Sequence, residues 1–541
     1  MLRNDCDLAK TLCEHERDAS MILSTLDFGV VAVYAIVLLV LAQWVSREKA
    51  GHEKNSSDYF LAGRNLPWWA IGASLIAANI SAEQIIGMSG SAFVMGIAIG
   101  AYEWMAAITL VIVGKWLLPV FLKHKIYTMP QFLEQRFDHR VRNVMATFWL
   151  GIYVFVNLTS ILWLGALAVN TVTGVDITYG MMGLAGFAVA YSLYGGLKAV
   201  ALTDIIQVTL LILGGILIAI ISMNEVSEGQ GAIAGFQILM EKLPGHFDLI
   251  FTKDSPHYAA LPGISVLVGG MWIMNLSYWG FNQYIIQRAL AAKSTQEAQK
   301  GILFAAFLKM LMPLIIVLPG VAAVILAPDL DSADKAYPTV MKLLPAGILG
   351  LVFAALIAAI VSSLASMMNS ISTIFTMDLY RHYASGEKSE KQLVTVGRIV
   401  SLTAMLIALI IAKPLLGQFE QAFQYIQEFT GLFTPGVCAL FLLGFFWKKT
   451  TANGALATAV GSAIFSVALK LGWPLLPFID RVGLVFLFSV VIGIAVSAMD
   501  GAKEHPDAID YAEIDTSTST GFNVAAMVVV AMLVGLYATW W

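Results

Sequence analysis

The chain has 541 residues, 58% of them hydrophobic and 13% charged, with a formal net charge of −4. So little charge over such a length excludes an ordinary soluble domain and describes a protein that crosses a membrane many times. No basic domain suggests nucleic acid, and Cys6, Cys13 and Cys438 form no CxxC or Cys/His cluster that would hold a metal.

Residues 1–20 are charged and lack the apolar core of a signal peptide. Residues 1–26 are therefore expected to be a disordered tail or an over-long start, ahead of one transmembrane domain, 27–541. Apolar segments fall near 27–46, 68–95, 99–122, 143–171, 177–194, 202–222, 262–286, 303–327, 345–376, 394–414, 420–446, 452–472, 480–499 and 522–541. The expected fold is an all-α polytopic membrane protein with about fourteen transmembrane helices. Every second loop is basic: Arg47, Lys49, Lys54 and Arg64; Lys123, Lys125, Arg136, Arg140 and Arg142; Lys198; Arg288, Lys293 and Lys300; Arg381, Lys388 and Lys391; Lys448 and Lys449. Those loops are assigned to the cytoplasm, and both termini to the outside. The acidic loop 500–521 then falls inside, a mild exception.

Segments 68–222 and 262–446 each hold five spans, with 447–541 as additional C-terminal helices. An odd number per set gives the two sets opposite topology, as an inverted repeat requires. The first member of each set is anomalous. In 68–95 the stretch Ser74–Ser91 reads SLIAANISAEQIIGMSGS, with Asn, Glu and Gln where a spanning helix should be apolar. In 262–286, Gly269-Gly270 is followed by Asn275, Ser277, Tyr278, Asn282 and Gln283. Two interrupted spans at corresponding places mark the binding site of a transporter, because an opened backbone exposes carbonyls that can hold a cation.

Glu103 and Lys309 lie within later apolar runs, where each is costly alone. They form either a direct ion pair between helices or the acid and base of a pocket with amides from Gln84, Asn275 and Gln427. A neutral polyol suits such a mixed donor–acceptor wall, with Tyr278, Tyr102 and Phe423 as aromatic platforms or gates. Ala359, Ser362 and Ser363 share one helical turn, and with freed carbonyls at Ala77 and Ile80 they would make a five-oxygen sodium cage. Asp204 either caps the sixth span or serves sodium, in its exit or in a second ion site. No nucleophile–base pair or metal set is visible, so the chain is not read as an enzyme. No cofactor is expected beyond sodium as coupling ion.

The run Tyr194-Gly-Gly-Leu-Lys-Ala199 resembles the Gly-Gly signature of the solute:sodium symporter family. AANISAEQ, YEWM, GFNQYIIQR, AQKGILFAAFLK, AAIVSSLASMMNS and AFQYIQEFTGL are similar to the bacterial sodium/galactose (sodium/glucose-type) members, over about 21–541. The resemblance implies a LeuT-like five-plus-five inverted repeat with flanking helices, importing a hexose with sodium by alternating access across a bacterial inner membrane. It implies sugar contacts by Gln84, Glu103, Asn275, Lys309 and Gln427. Tyr278 is implied as a stacking inner gate steadied by Asn79, and Met88, Tyr102 and Phe423 as an outer gate. The implied sodium ligands are Ala77, Ile80, Ala359, Ser362 and Ser363. Ala106 stands where those members carry a serine, which leaves the choice between galactose and glucose open. Membrane lipid surrounds such a protein, and a homodimer is left open. The rival readings are a family symporter for inositol, sialic acid or proline, and a sugar sensor that does not transport.

Overall fold

The computed structural model describes residues 23–45, 64–126, 128–384, 389–417, 421–506 and 508–541; the side chains of 39, 42, 43, 45 and 193–202 are also outside the description. The tail 1–22 and the basic loop 46–63, except for Arg64, fall outside these residues. Each apolar segment coincides with helix. Among the described residues nine helices are long and apolar enough to span a bilayer, or ten if a bent pair counts as one. The difference from the expected count lies in spans that are shorter or broken.

The elements that build the centre are α1 (Thr25–Val45), α2 (Trp68–Asn79), α3 (Met88–Met95), α4 (Ala101–Ile112), α5 (His139–Thr173) and α6 (Ile177–Val226). They are followed by α7 (Gly270–Leu276), α8 (Gln283–Leu290), α9 (Thr295–Leu326), α10 (Ile348–Tyr383) and α11 (Glu390–Leu416). The last are α12 (Ala422–Gly431), α13 (Thr434–Phe446), α14 (Ala452–Gly472), α15 (Phe478–Met499) and α16 (Thr520–Thr539). Helix α6 holds the fifth and sixth apolar segments as Ile177–Ser192 and Thr203–Val226, and the Gly-Gly motif lies between them, where side chains are not described. The outer helices α11 and α14 to α16 turn apolar residues such as Ile410, Ile464, Val491 and Met527 outward, as lipid requires.

Both anomalous segments are broken. Helix α2 ends at Asn79; Ile80 leaves the helical region at ψ 72°, and a tight Ser81 N–H to Asn79 O bond of 2.7 Å turns the chain into a π turn at Glu83–Gly87. In the second segment the helix is interrupted at Gly269 and again at Asn282, which is extended (φ −83°, ψ 118°). The Asn282 side chain accepts from the Tyr284 N–H and so caps α8. Glycine is required beside the first interruption, because a Cβ at Gly270 would stand 2.0 Å from the Ile479 carbonyl oxygen.

Small residues bring the two broken helices and their neighbours to close range. Helices α2 and α9 cross where a Cβ at Gly72 would meet the Gly301 carbonyl oxygen at 2.7 Å, and one at Gly301 would meet that of Trp68 at 2.8 Å. Helix α10 is buried along nearly its whole length between α6, α1 and α11. Its N-terminus is held by Asp27 of α1, whose Oδ1 accepts from the N–H groups of Gly347 and Gly350, both at 2.7 Å. The packing at Gly301 is tight enough that Gly301→Val should destabilise the protein by about 1–3 kcal/mol through overpacking. An unchanged thermal midpoint in detergent would show that α2 and α9 do not pack this closely.

Candidate functional site

The two breaks face one cavity. Its wall takes Asn79 and Gln84 from the first break, Tyr102, Glu103 and Ala106 from α4, and Asn275, Tyr278 and Trp279 from the second. Lys309 of α9 and Phe423 and Gln427 of α12 close it. Residues separated by more than three hundred positions in the chain thus meet at one site, and every expected sugar contact lies on its wall.

The acid and base do not stand apart. Lys309 Nζ donates to Glu103 Oε2 at 2.5 Å, and both side chains are buried. Glu103 Oε1 accepts from Gln84 Nε2, and Lys309 also donates to Asn79 Oδ1. Asn79 Nδ2 in turn donates to the Tyr278 hydroxyl at 3.0 Å. Lys309 Nζ also lies 5.1 Å from the centre of the Trp279 ring. The ion pair and the pocket, two alternatives on sequence grounds, are one arrangement: Gln84, Glu103, Lys309, Asn79 and Tyr278 form a continuous hydrogen-bonded chain that faces the cavity. The Asn275 amide donates to the Met271 carbonyl at 3.1 Å.

Met88 is fully buried, and Tyr102 meets Phe423 edge-to-face with ring centres 5.4 Å apart. Beside Tyr278, the side chains of Tyr153, Asn157, Asn282 and Thr430 continue the polar wall. Asn282 lies in the polar run of the second interrupted segment, whereas a cavity role for Tyr153, Asn157 or Thr430 is absent from the sequence reading. So is Glu83, which accepts from the Ser160 hydroxyl and faces a small second cavity lined by Ala78, Ser81 and Asn157. The AEQ triplet was a signal for Glu83; the others sit singly in apolar runs, where nothing in the sequence marks the side they face.

The serines of α10 reach the first break. Ser363 Oγ donates to the Ala78 carbonyl at 3.3 Å, which the Tyr284 hydroxyl also approaches. The contacted carbonyl is thus that of Ala78, between the expected Ala77 and Ile80; all three residues are buried, as is Ala359. Ser362 donates instead to Asp204 Oδ1. Asp204 lies inside α6 and does not cap it, because its carboxylate is taken by Ser362 and, at 2.7 Å, by Ser74. Arg288 is not the loop charge it was counted as. It is buried, and its guanidinium donates to Ser74, Ser366 and the Tyr284 carbonyl at 2.6–2.9 Å, tying α8 to α2 and α10. Its long side chain carries the charge inward from the helix end. Among the described residues no group of three or more His, Cys, Asp or Glu could hold a metal.

These features define a multi-pass membrane protein of the transporter class, with a polar cavity at two discontinuous helices. Residues 59–461 match the model of the Sodium:solute symporter family, and the chain belongs to that family. It is 49% identical to the sodium/glucose cotransporter of Vibrio parahaemolyticus over 96% of this chain and 99% of that one. It is 34% identical to the human sodium/myo-inositol cotransporter 2, over 79% of this chain and 67% of that one. A sodium-coupled sialic acid symporter in a substrate-bound outward-open state superposes with a TM-score of 0.78 at 24% identity, covering 88% and 98% of the two chains. A nucleobase-cation-symport-1 family transporter in a closed conformation gives 0.53 at 14% identity, covering 88% and 99%. The fold is the LeuT-like inverted repeat with flanking helices.

The buried pair yields a sharp expectation. Glu103→Gln or Lys309→Met alone should lower stability by about 3–5 kcal/mol, since each leaves an uncompensated charge. The double variant should recover most of that loss. Additive losses in a thermal-unfolding cycle would mean that the two groups do not depend on each other.

Proposed function

We propose that this protein imports a hexose together with sodium by alternating access, from a bacterial inner membrane, with the basic loops inside and both termini outside. The observation that carries this reading is the hydrogen-bonded chain from Gln84 through Glu103, Lys309 and Asn79 to Tyr278 on the wall of one cavity. Such a wall offers both donors and acceptors without net charge, as a ring of hydroxyls requires. Gln84, Glu103, Asn275, Lys309 and Gln427 are its sugar contacts, and sugar entry exchanges some of their mutual bonds for bonds to hydroxyls. Tyr278, held by Asn79, is the inner gate; Met88, Tyr102 and Phe423 are the outer one. Their burial supports an arrangement shut to the outside. The two inverted repeats are 68–222 and 262–446, with the helices of 447–541 added outside them.

Sodium is the coupling ion. Its site is at the first break, between the carbonyls of Ala77 and Ile80 and the Ala359 carbonyl and Ser362 and Ser363 hydroxyls of α10. Asp204, bonded to Ser362, lies beside it on the path of release. Sodium there ties α2 to α10, and its loss frees the segment that carries Asn79, which releases Tyr278. Coupling is reciprocal, so sodium tightens sugar binding by the factor by which sugar tightens sodium's. A membrane potential adds about 2.3 kcal/mol per charge for each 100 mV. The second reading is a cyclic polyol such as inositol, which the human relative named for it favours.

In proteoliposomes, labelled galactose or glucose should accumulate under an inward sodium gradient, and not when choline replaces sodium. Competition by myo-inositol, sialic acid and proline separates the second reading from the first, and uptake independent of sodium sinks both. Gln84→Ala and Lys309→Ala should abolish uptake. Ser363→Ala should raise the half-saturating sodium concentration severalfold while leaving folding intact; an unchanged sodium titration would remove Ser363 from the ion site.

A further inference from the structure

The outer seal has a component that the sugar and sodium sites do not explain. Between α9 and α10 a short turn, Ala333–Lys335, lies on the side of the protein where Met88 and Phe423 close the cavity. Its Asp334 is 1% exposed. Asp334 Oδ2 accepts from the Ala422 N–H at 3.0 Å, the first residue of α12, which carries Phe423 and Gln427. The other oxygen, Oδ1, has no hydrogen-bond partner. It faces α3, so closely that a Cβ at Gly90 would stand 2.5 Å from it. Ser89 Oγ and Ser91 Oγ of α3 and the Tyr102 hydroxyl of the gate are also buried without partners. Buried polar atoms left unpaired in a folded protein call for a reason. Here the reason is movement: a gate that opens to water hydrates all four.

Helix α12 ends at a bend that offers a hinge for that movement. It meets α13 at 43° across a short break at Leu432–Phe433, so it can swing as a rod about that bend. In the shut position Asp334 holds the other end of the rod. We infer that Asp334 is a positioning residue for the outer gate, latching the N-terminus of α12 over the cavity and taking up a proton as the gate shuts.

The surroundings supply no other charge for this carboxyl. Among the described residues Lys335 of the same turn pairs with Asp331 at 2.7 Å, and Glu428 of α12 pairs with Arg481 and Lys470. Tyr425 is the other titratable group of α12 and Tyr337 that of Ala336–Met341. Glu83, on the turn before α3, is bonded to Ser160. Neither α3 nor the outer half of α5 from Thr159 to Thr173 contains a titratable residue. Burial therefore dominates and pushes the Asp334 carboxyl up to about 7, against the smaller opposing effect of the Ala422 N–H. Hydrated in the open gate it returns to the ordinary value of about 4. A group whose value is higher in the shut state binds its proton there. External acid then favours the shut gate, and this bias disappears as pH rises through about 7.

The inference rests on the reading of the protein as an alternating-access symporter, and its test has one arm that does not need transport. With Cys6, Cys13 and Cys438 replaced by alanine, Met88→Cys should react with a membrane-impermeant maleimide several times faster at about pH 8 than at about pH 5.5, after correction for thiolate content. In Asp334→Asn, which keeps an acceptor for Ala422 and cannot ionise, that difference should vanish. In proteoliposomes the half-saturating external sugar concentration should rise roughly threefold or more over the same acidification, and stay flat in Asp334→Asn. A wild-type protein with pH-independent labelling, or an Asp334→Asn variant that keeps the wild-type profile, overturns the latch. Absence of sodium-driven sugar uptake at every pH would overturn the transport reading instead, and the labelling arm would still decide on Asp334.

Discussion

The structure depends on how polar groups are satisfied where no water can reach them. In a bilayer every carbonyl and amide of a spanning segment must find a partner inside the protein, and a charged side chain is tolerated only when it is paired or faces a wet cavity. The break after Asn79 would be prohibitive without those partners. The Ala78 carbonyl beside it is met by both Ser363 and Tyr284, and the Asn79 side chain by Lys309 and Tyr278. Glu103 and Gln84 then complete the balance of Lys309. Chemistry that looks like recognition is also what keeps the broken helix intact.

This has a consequence for coupling. The chain of hydrogen bonds runs from the Gln84 amide to the Tyr278 hydroxyl, and Ser363 of α10 touches the backbone only one residue before Asn79. An ion at the break and a solute in the cavity would therefore pull on the same few residues. Reciprocal coupling needs two sites that bias one element with two arrangements, and on the proposed reading the unwound turn Asn79–Ser81 is that element. The network around Asp204 and Arg288 is different in kind. Its carboxylate and guanidinium are both paired, and it joins α2, α6, α8 and α10.

The outer face follows the same logic with the opposite sign. Where the centre is saturated with hydrogen bonds, the turn at Asp334 and the adjoining serines are short of them. A site that is satisfied in one state and deficient in another has a built-in preference, which is the ground of the inference about Asp334. Small residues are essential to it, since Gly87 and Gly90 let Phe423 and Asp334 come against α3.

Much of this was legible in the chain itself. Polar residues in the middle of apolar segments revealed both broken helices, because a bilayer punishes an unpaired Asn, Glu or Lys so heavily that its presence in a span demands a reason. Gln84, Glu103, Asn275, Lys309 and Gln427 could be picked out on that ground. Partners were not legible. That Glu103 and Lys309 bond directly, that Asp204 sits inside a helix between two serines, and that Arg288 turns inward are matters of which helix faces which. Asn157 stands alone in an apolar run whose facing side the sequence does not mark, and Asp334 lies in a loop, where a carboxylate is cheap in water. Only the three-dimensional packing, which removes that water, turned Asp334 into a buried group.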